Sequence, residues 1–191
     1  MTYEEKTLSS EMLYTGKIIN LRRDIVMTKG GRESAREIVE HNGGVVIVAR
    51  TDDGMVPLVS QYRKAAEKVV LEIPAGKLEA GEDPREAALR ELREETGFSA
   101  RDIRWLTDAY SSIGYSTEVL HFYLATGLTP GETDFDEGEA IDVSLMSVDE
   151  LRGMALRGEI EDQKTIMAIL LLCAVMDAET ETSFSLDTCF G

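Results

Sequence analysis

Gly76-Lys77-Leu78-Glu79-Ala80-Gly81-Glu82-Asp83-Pro84-Arg85-Glu86-Ala87-Ala88-Leu89-Arg90-Glu91-Leu92-Arg93-Glu94-Glu95-Thr96-Gly97-Phe98 contains the signals for both ends of a helix. Asp83 is an N-cap residue, Pro84 suits the first helical position, Glu86 completes a capping box, and Gly97 stands just past the end. This punctuation predicts a helix over 84–96. Glu91, Glu94 and Glu95 are spaced so that they share one face of it. Like charges so placed repel, by roughly a few tenths of a kcal/mol per pair. Glu94 and Glu95 also fall in the last turn, where the helix dipole disfavours anions by about 0.3–1 kcal/mol each. A fold gains nothing from this placement. A hard divalent cation such as Mg²⁺, which takes oxygen ligands, reverses the repulsion. The competing reading is a solvated acidic face, eased by Glu86 and Arg90 at i, i+4 and by Arg93.

On the N-terminal side of this helix, Val45-Val46-Ile47-Val48 is a continuous apolar run expected of a buried strand. The turn Thr51-Asp52-Asp53-Gly54 separates it from a second run, Val56 to Val59, and Val69 to Ile73 is a third, closed by Pro74. Residues 1–42 read as a small antiparallel β unit, with strands at Gly16–Met27 and Ala35–His41 around Thr28-Lys29-Gly30-Gly31. Such a unit is marginal alone and is expected to pack on something else. Beyond the helix, strands are expected near Ile103–Tyr110, Val119–Ala125 and Ile141–Met146. Helices are expected near Ser147–Arg157 and Lys164–Asp177. The pattern predicts an α/β (α+β) fold: a helix-sheet-helix sandwich with a mixed sheet over residues 43–178, followed by a loose polar tail, 179–191.

The chain's 191 residues suffice for a substantial core, and 36 acids against 20 bases give a formal charge of −16. That charge repels nucleic acid and anionic lipid at long range, and no Lys/Arg face offsets it, so neither is an expected partner. The longest apolar run, Ile166 to Met176, is 11 residues, whereas a membrane span needs about 20. Met1-Thr2-Tyr3-Glu4-Glu5 lacks the basic and apolar regions of a secretory signal, and a soluble, cytoplasmic protein is expected. Cys173 and Cys189 form neither a disulfide framework nor a metal-ligand spacing; Cys173 reads as a core residue.

From Gly76 to Phe98 the chain has a Gly, five residues, Glu, seven residues, Arg-Glu, an aliphatic, one residue, Glu-Glu, one residue, Gly and an apolar residue. This resembles the Nudix box at every defined position. Gly16-Lys17-Ile18-Ile19, Arg36-Glu37-Ile38-Val39-Glu40-His41, Gln61-Tyr62-Arg63, Leu71-Glu72-Ile73-Pro74-Ala75-Gly76 and Asp162-Gln163-Lys164-Thr165 are similar to the bacterial ADP-ribose pyrophosphatase branch of the Nudix hydrolases. The resemblance implies the Nudix α/β/α sandwich and Mg²⁺-dependent cleavage of ADP-ribose into AMP and ribose 5-phosphate, with Mn²⁺ as an alternative ion. It assigns the ions to Glu91, Glu94, Glu95 and the main-chain carbonyl of Ala75, and pairs Glu82 with Arg90. It places a general base in Asp134-Phe135-Asp136-Glu137-Gly138-Glu139-Ala140, with Glu139 first and Glu137 second. Either could instead orient the attacking water or complete a metal site. Glu94 and Glu95 count as catalytic through the ions. Arg63 is expected on substrate phosphate, Arg36 and Glu40 at the adenosine end across a homodimer formed by the 1–42 unit, and Glu118 in support of the site. His41 and His121 are expected to be packed or capped, and Trp105 to be core.

One position departs from the branch. Its marker proline, sixteen residues after the glycine equivalent to Gly97, is Ile113 here. Loss of a fixed φ loosens the loop Ser111-Ser112-Ile113-Gly114-Tyr115-Ser116. Hydrolase chemistry is untouched, but GDP-mannose, another nucleoside diphosphate sugar or a dinucleotide stay open as substrates. A non-cleaving ADP-ribose sensor and a structural acidic domain are the alternatives from other classes. The intact box and the lack of a basic DNA-binding segment weigh against the sensor.

Overall fold

The apolar run of the sheet is buried at every position because helices cover both of its faces. The computed structural model describes residues 3–135 and 140–187. Its strands are β1 (Lys6–Thr15), β2 (Asn20–Met27), β3 (Glu33–Glu40), β4 (Gly44–Ala49), β5 (Met55–Arg63), β6 (Lys68–Glu72), β7 (Ala75–Lys77), β8 (Ser99–Tyr110), β9 (Val119–Thr129) and β10 (Ile141–Ser147). Its helices are α1 (Pro84–Thr96), α2 (Val148–Arg157) and α3 (Gln163–Asp187). The mixed sheet is ordered β7-β4-β9-β8, with β4 and β9 parallel and the other pairs antiparallel.

Alternation along β4 sends Val45, Ile47 and Ala49 to one side, against Ala87, Ala88 and Leu92 of α1. Val46 and Val48 go to the other, against Leu151 of α2 and Ala168, Ile169 and Leu172 of α3. An antiparallel sheet β10-β5-β6 adds Val56 and Leu58 to this second cluster. The α/β/α sandwich therefore follows from one strand with two apolar faces. Cys173 lies in the second cluster as expected, and burial pushes its thiol pKa up.

Helix α1 has the predicted bounds. Asp83 accepts from the amides of Arg85 (2.9 Å) and Glu86 (3.2 Å), and Gly97 closes the helix at φ 75°. A Cβ at residue 97 would also stand 2.7 Å from the Gly131 carbonyl. Both the left-handed backbone and the passing chain thus require glycine there.

The N-terminal unit is a three-stranded antiparallel sheet, β1-β2-β3. Gly16 to Ile19, expected to begin a strand, is instead the connection after β1: the Gly16 amide donates to the Ile19 carbonyl at 3.0 Å. The preceding strand escaped prediction because Lys6–Thr15 is exposed on both faces and carries no apolar alternation. The end of β3 is tied to the 111–118 loop through the Val39 amide to the Tyr115 carbonyl (2.7 Å) and the Thr117 amide to the Val39 carbonyl (2.9 Å). Helix α3, expected to stop near Asp177, runs on to Asp187, since residues 178–187 hold no Gly or Pro to end it. Its Glu179, where a loose tail was expected, lies 3.8 Å from Arg50 and 4.0 Å from Arg104. No described helix is long and apolar enough to cross a membrane.

Leu92 is fully buried between α1 and β4. Leu92→Ala is expected to cost about 2–5 kcal/mol of unfolding free energy. Urea denaturation of the two proteins measures it.

Candidate active site

A cleft of about 580 Å³ opens between α1, β7, the end of β5 and the start of α3. Glu91, Glu94 and Glu95 line it together with Ala75, Gly76, Arg63 and Glu118. The acidic sector of α1 is held by Arg90. Its guanidinium takes Glu82 in a two-point pair (3.0 and 3.1 Å), and Nη1 reaches Glu91 (2.8 Å) and Glu94 (3.0 Å). The Glu82 hydrogen bond is the largest of the contacts that raise the Arg90 pKa, and it holds Glu82 below the usual carboxylate range. Glu86, expected to pair with Arg90 at i, i+4, pairs with Arg85 at 3.0 Å instead. Arg93 does ease it, reaching Glu94 at 3.4 Å and Asp134 at 3.8 Å.

Two contacts fix the acids against β7. Glu95, 7% exposed, accepts from the Ala75 amide at 3.0 Å. Glu91 packs on Gly76 so closely that a Cβ there would fall 1.8 Å from Glu91 Cδ. The first glycine of the motif is therefore a requirement of this contact. Among the described residues no group of three acids is gathered closely enough to hold a metal ion as it stands. The carboxylates of Glu91, Glu94 and Glu95 are nonetheless hard oxygen groups lining one cleft, a set suited to Mg²⁺ or Mn²⁺ and unsuited to soft ions. Glu139 and Glu137 lie outside the described residues. The chain leading towards them is anchored at α1, where the Asp134 amide donates to the Glu94 carbonyl at 2.9 Å.

The opposite wall holds residues that carried no role in the sequence reading. Glu72, 2% exposed, takes the fork of Arg63 (2.6 and 2.8 Å) and the ammonium of Lys164. Lys164 also reaches Asp162 (3.0 Å), whose carboxylate caps α3 by accepting from the Thr165 amide (3.0 Å) and hydroxyl (2.6 Å). The Thr165 oxygen in turn accepts from the Ile73 amide at 2.8 Å. Burial alone would raise the Glu72 pKa, but Arg63 and Lys164 together bring it below the ordinary value. The available signal was a charged residue inside the apolar run Val69 to Ile73. Arg63 lines the cleft, but two of its nitrogens are committed to Glu72.

Other expected site residues are spread more widely. Arg36 pairs with Glu5 at 2.5 and 2.8 Å and Glu40 with Arg22; neither lines the cleft of its own chain. Glu118 does, 3.3 Å from His41 Nδ1, a nitrogen that accepts from the Gly43 amide at 3.0 Å. His121 is paired with Asp108 at 2.8 Å. Trp105, expected in the core, is 56% exposed and donates to the same Asp108. Its strand lies at the open edge of the mixed sheet, where an indole can remain in solvent.

Comparison with known proteins adds an independent line. The model of the NUDIX domain matches residues 40–169, and that of the nucleoside diphosphate sugar hydrolase N-terminal domain matches residues 5–39. The chain is 42% identical to a methanol dehydrogenase activator of Bacillus methanolicus over 172 residues, covering 89% of this chain and 93% of that protein. It is 41% identical to an ADP-ribose pyrophosphatase of Bacillus subtilis (strain 168) over 171 residues, 88% and 92% of the two chains. A crystal structure of an ADP compounds hydrolase superposes with a TM-score of 0.82 at 21% identity, covering 92% of this chain and 96% of that one, which shows the same fold.

Glu72 supplies a test of the opposite wall. Its folded pKa is depressed, so its contribution is fully present above the unfolded value of about 4.3 and is lost as pH falls through the folded value. Glu72→Gln is expected to be less stable than the parent at pH 7, by at most the low end of the ~3–5 kcal/mol for breaking a buried pair, because Arg63 is partly exposed. The gap is expected to close as pH drops below about 4. Urea denaturation as a function of pH measures it.

Proposed function

The chain belongs to the NUDIX family, and from that membership we propose that its cleft hydrolyses the pyrophosphate bond of ADP-ribose, releasing AMP and ribose 5-phosphate with Mg²⁺ bound. One observation carries the reading. Three acids of α1 meet Ala75 and Gly76 in one cleft of a chain 41% identical, over 88% of its length, to an ADP-ribose pyrophosphatase. Glu91, Glu94, Glu95 and the Ala75 carbonyl would hold the ion, with Mn²⁺ as a substitute. When bound, the ion neutralises phosphate oxygens and favours departure of the bridging oxygen.

The chain's own groups do the rest. Arg90 keeps Glu91 and Glu94 on the cleft side of α1, and the Ala75 amide orients Glu95. Glu139, or Glu137 in its place, takes the proton of the attacking water as its oxygen bonds to phosphorus. The bond from that phosphorus to the bridging oxygen then breaks. Arg63 and Glu118 line the route by which the diphosphate enters. Ile113, 76% exposed beside the cleft residue Ser111, favours a second reading in which the sugar end is read loosely and another nucleoside diphosphate sugar such as GDP-mannose is also cleaved.

In this proposal residues 1–42 and 43–178 are separate units, and the first makes a homodimer. The exposure of Tyr3, Leu8, Met12 and Tyr14 on that unit supports it. So does the position of Arg36 and Glu40 outside their own chain's cleft, each in an ion pair on the N-terminal sheet that a partner's substrate could approach. A cytoplasmic location is consistent with Cys173 as a free thiol.

A substrate panel with Mg²⁺ and product analysis tests the reading. AMP release from ADP-ribose is expected, and Glu95→Gln is expected to lower kcat by about a hundredfold or more at unchanged melting temperature. No turnover of any nucleoside diphosphate sugar overturns it. Size-exclusion chromatography with light scattering is expected to give twice the mass of one chain.

A further inference from the structure

The described part of the cleft wall carries four Lys or Arg side chains: Arg63, Lys77, Arg90 and Lys164. Three are committed to acids. Arg63 is forked on Glu72, Arg90 is shared among Glu82, Glu91 and Glu94, and Lys164 lies between Glu72 and Asp162. Lys77 makes no ion pair with any described residue, although the same wall carries Glu79, Glu91, Glu94, Glu95 and Glu118.

The backbone explains why Lys77 is left over. In β7, alternation puts Gly76 on the side of Glu91 and sets Lys77 on the opposite side, with Ala75. Across the ladder Lys77 stands opposite Gly44, which has no side chain to pair with it. The neighbour of Gly44 on the other strand is Leu120, an apolar cleft residue. Lys77 is exposed, so its ammonium keeps its hydration and its reach.

We propose that Lys77 is the cation that contacts the diphosphate of the substrate directly, from the side of the cleft away from α1. The inference rests on the pyrophosphatase reading and sharpens it by naming a phosphate contact beyond the one expected of Arg63. A compact ammonium with three donors suits a diphosphate whose other oxygens turn toward the acidic wall and its ion. Lys77 makes the contact in ground state and transition state alike, so its loss affects binding more than the chemical step.

The test uses the full chain with Mg²⁺ and ADP-ribose, comparing Lys77→Met, Lys77→Arg and Lys64→Met. Lys64 pairs with Glu67 outside the cleft, and its loss changes net charge equally. Lys77→Met is expected to raise KM about tenfold, the effect of one lost hydrogen bond to a charged group, with kcat within about twofold. Lys77→Arg is expected to recover most of the loss, while Lys64→Met keeps the parental KM and all three keep the parental melting temperature. If the parent cleaves no nucleoside diphosphate sugar, the pyrophosphatase reading fails first. If the parent is active, the Lys77 inference alone is overturned by an unchanged KM in Lys77→Met, by a fall in kcat at unchanged KM, or by an equal KM rise in Lys64→Met.

Discussion

A single guanidinium, that of Arg90, faces carboxylates from two segments of chain, and the cleft depends on it. Its two-point pair with Glu82 closes the 79–83 loop, which the Glu79 amide reinforces by donating to Glu82 at 3.0 Å. Its remaining reach holds Glu91 and Glu94 on the same side of α1. Isolated surface ion pairs contribute little, but this is a network with a forked pair at its centre. The network lowers the repulsion within the acidic sector without cancelling it, since Arg90, helped at Glu94 by Arg93, faces Glu82, Glu91 and Glu94, with Glu95 beside them. The residual negative field is what a divalent cation would meet, and a diphosphate alone would be rejected by it.

The second wall is built on the opposite logic. Here a buried acid, Glu72, gathers two cations, and the polar atoms that remain are used by Asp162, Thr165 and the Ile73 amide. The result joins β5, β6 and the first turn of α3 into one rigid edge. This wall thus satisfies its own charges, whereas the acidic wall of α1 keeps a negative excess. The formal charge of −16 gains meaning from this arrangement. It repels polyanions at long range, and a cation held in the cleft would offset that repulsion locally.

Features encoded by neighbouring residues were legible in the sequence. The bounds of α1 follow from Asp83, Pro84 and Gly97 within a few positions, and the two-faced burial of β4 follows from its unbroken apolar run. The spacing of Glu91, Glu94 and Glu95 placed them together on one wall. What escaped depends on partners distant in the chain. Arg63 is expected as a cleft residue and lines the cleft, but its fork on Glu72 depends on a pairing between two strands that no local signal announces. Strand β1 has no apolar period because neither of its faces is covered. Trp105 is exposed because its strand has an open side, a property of sheet order. Asp177 ended the predicted third helix because the apolar run stops there, whereas the backbone needs only the absence of a breaker to continue.

On the proposed reading, the acidic sector of α1 is a cation site and not a solvated surface. The direct measurement is the melting temperature of the full chain as Mg²⁺ is raised into the millimolar range, in the parent and in the Glu91→Gln, Glu94→Gln double variant. Ligand binding to the folded state alone raises the transition. A cation site gives a Mg²⁺-dependent rise in the parent that is absent in the double variant. No rise in the parent, or an equal rise in both, would contradict it.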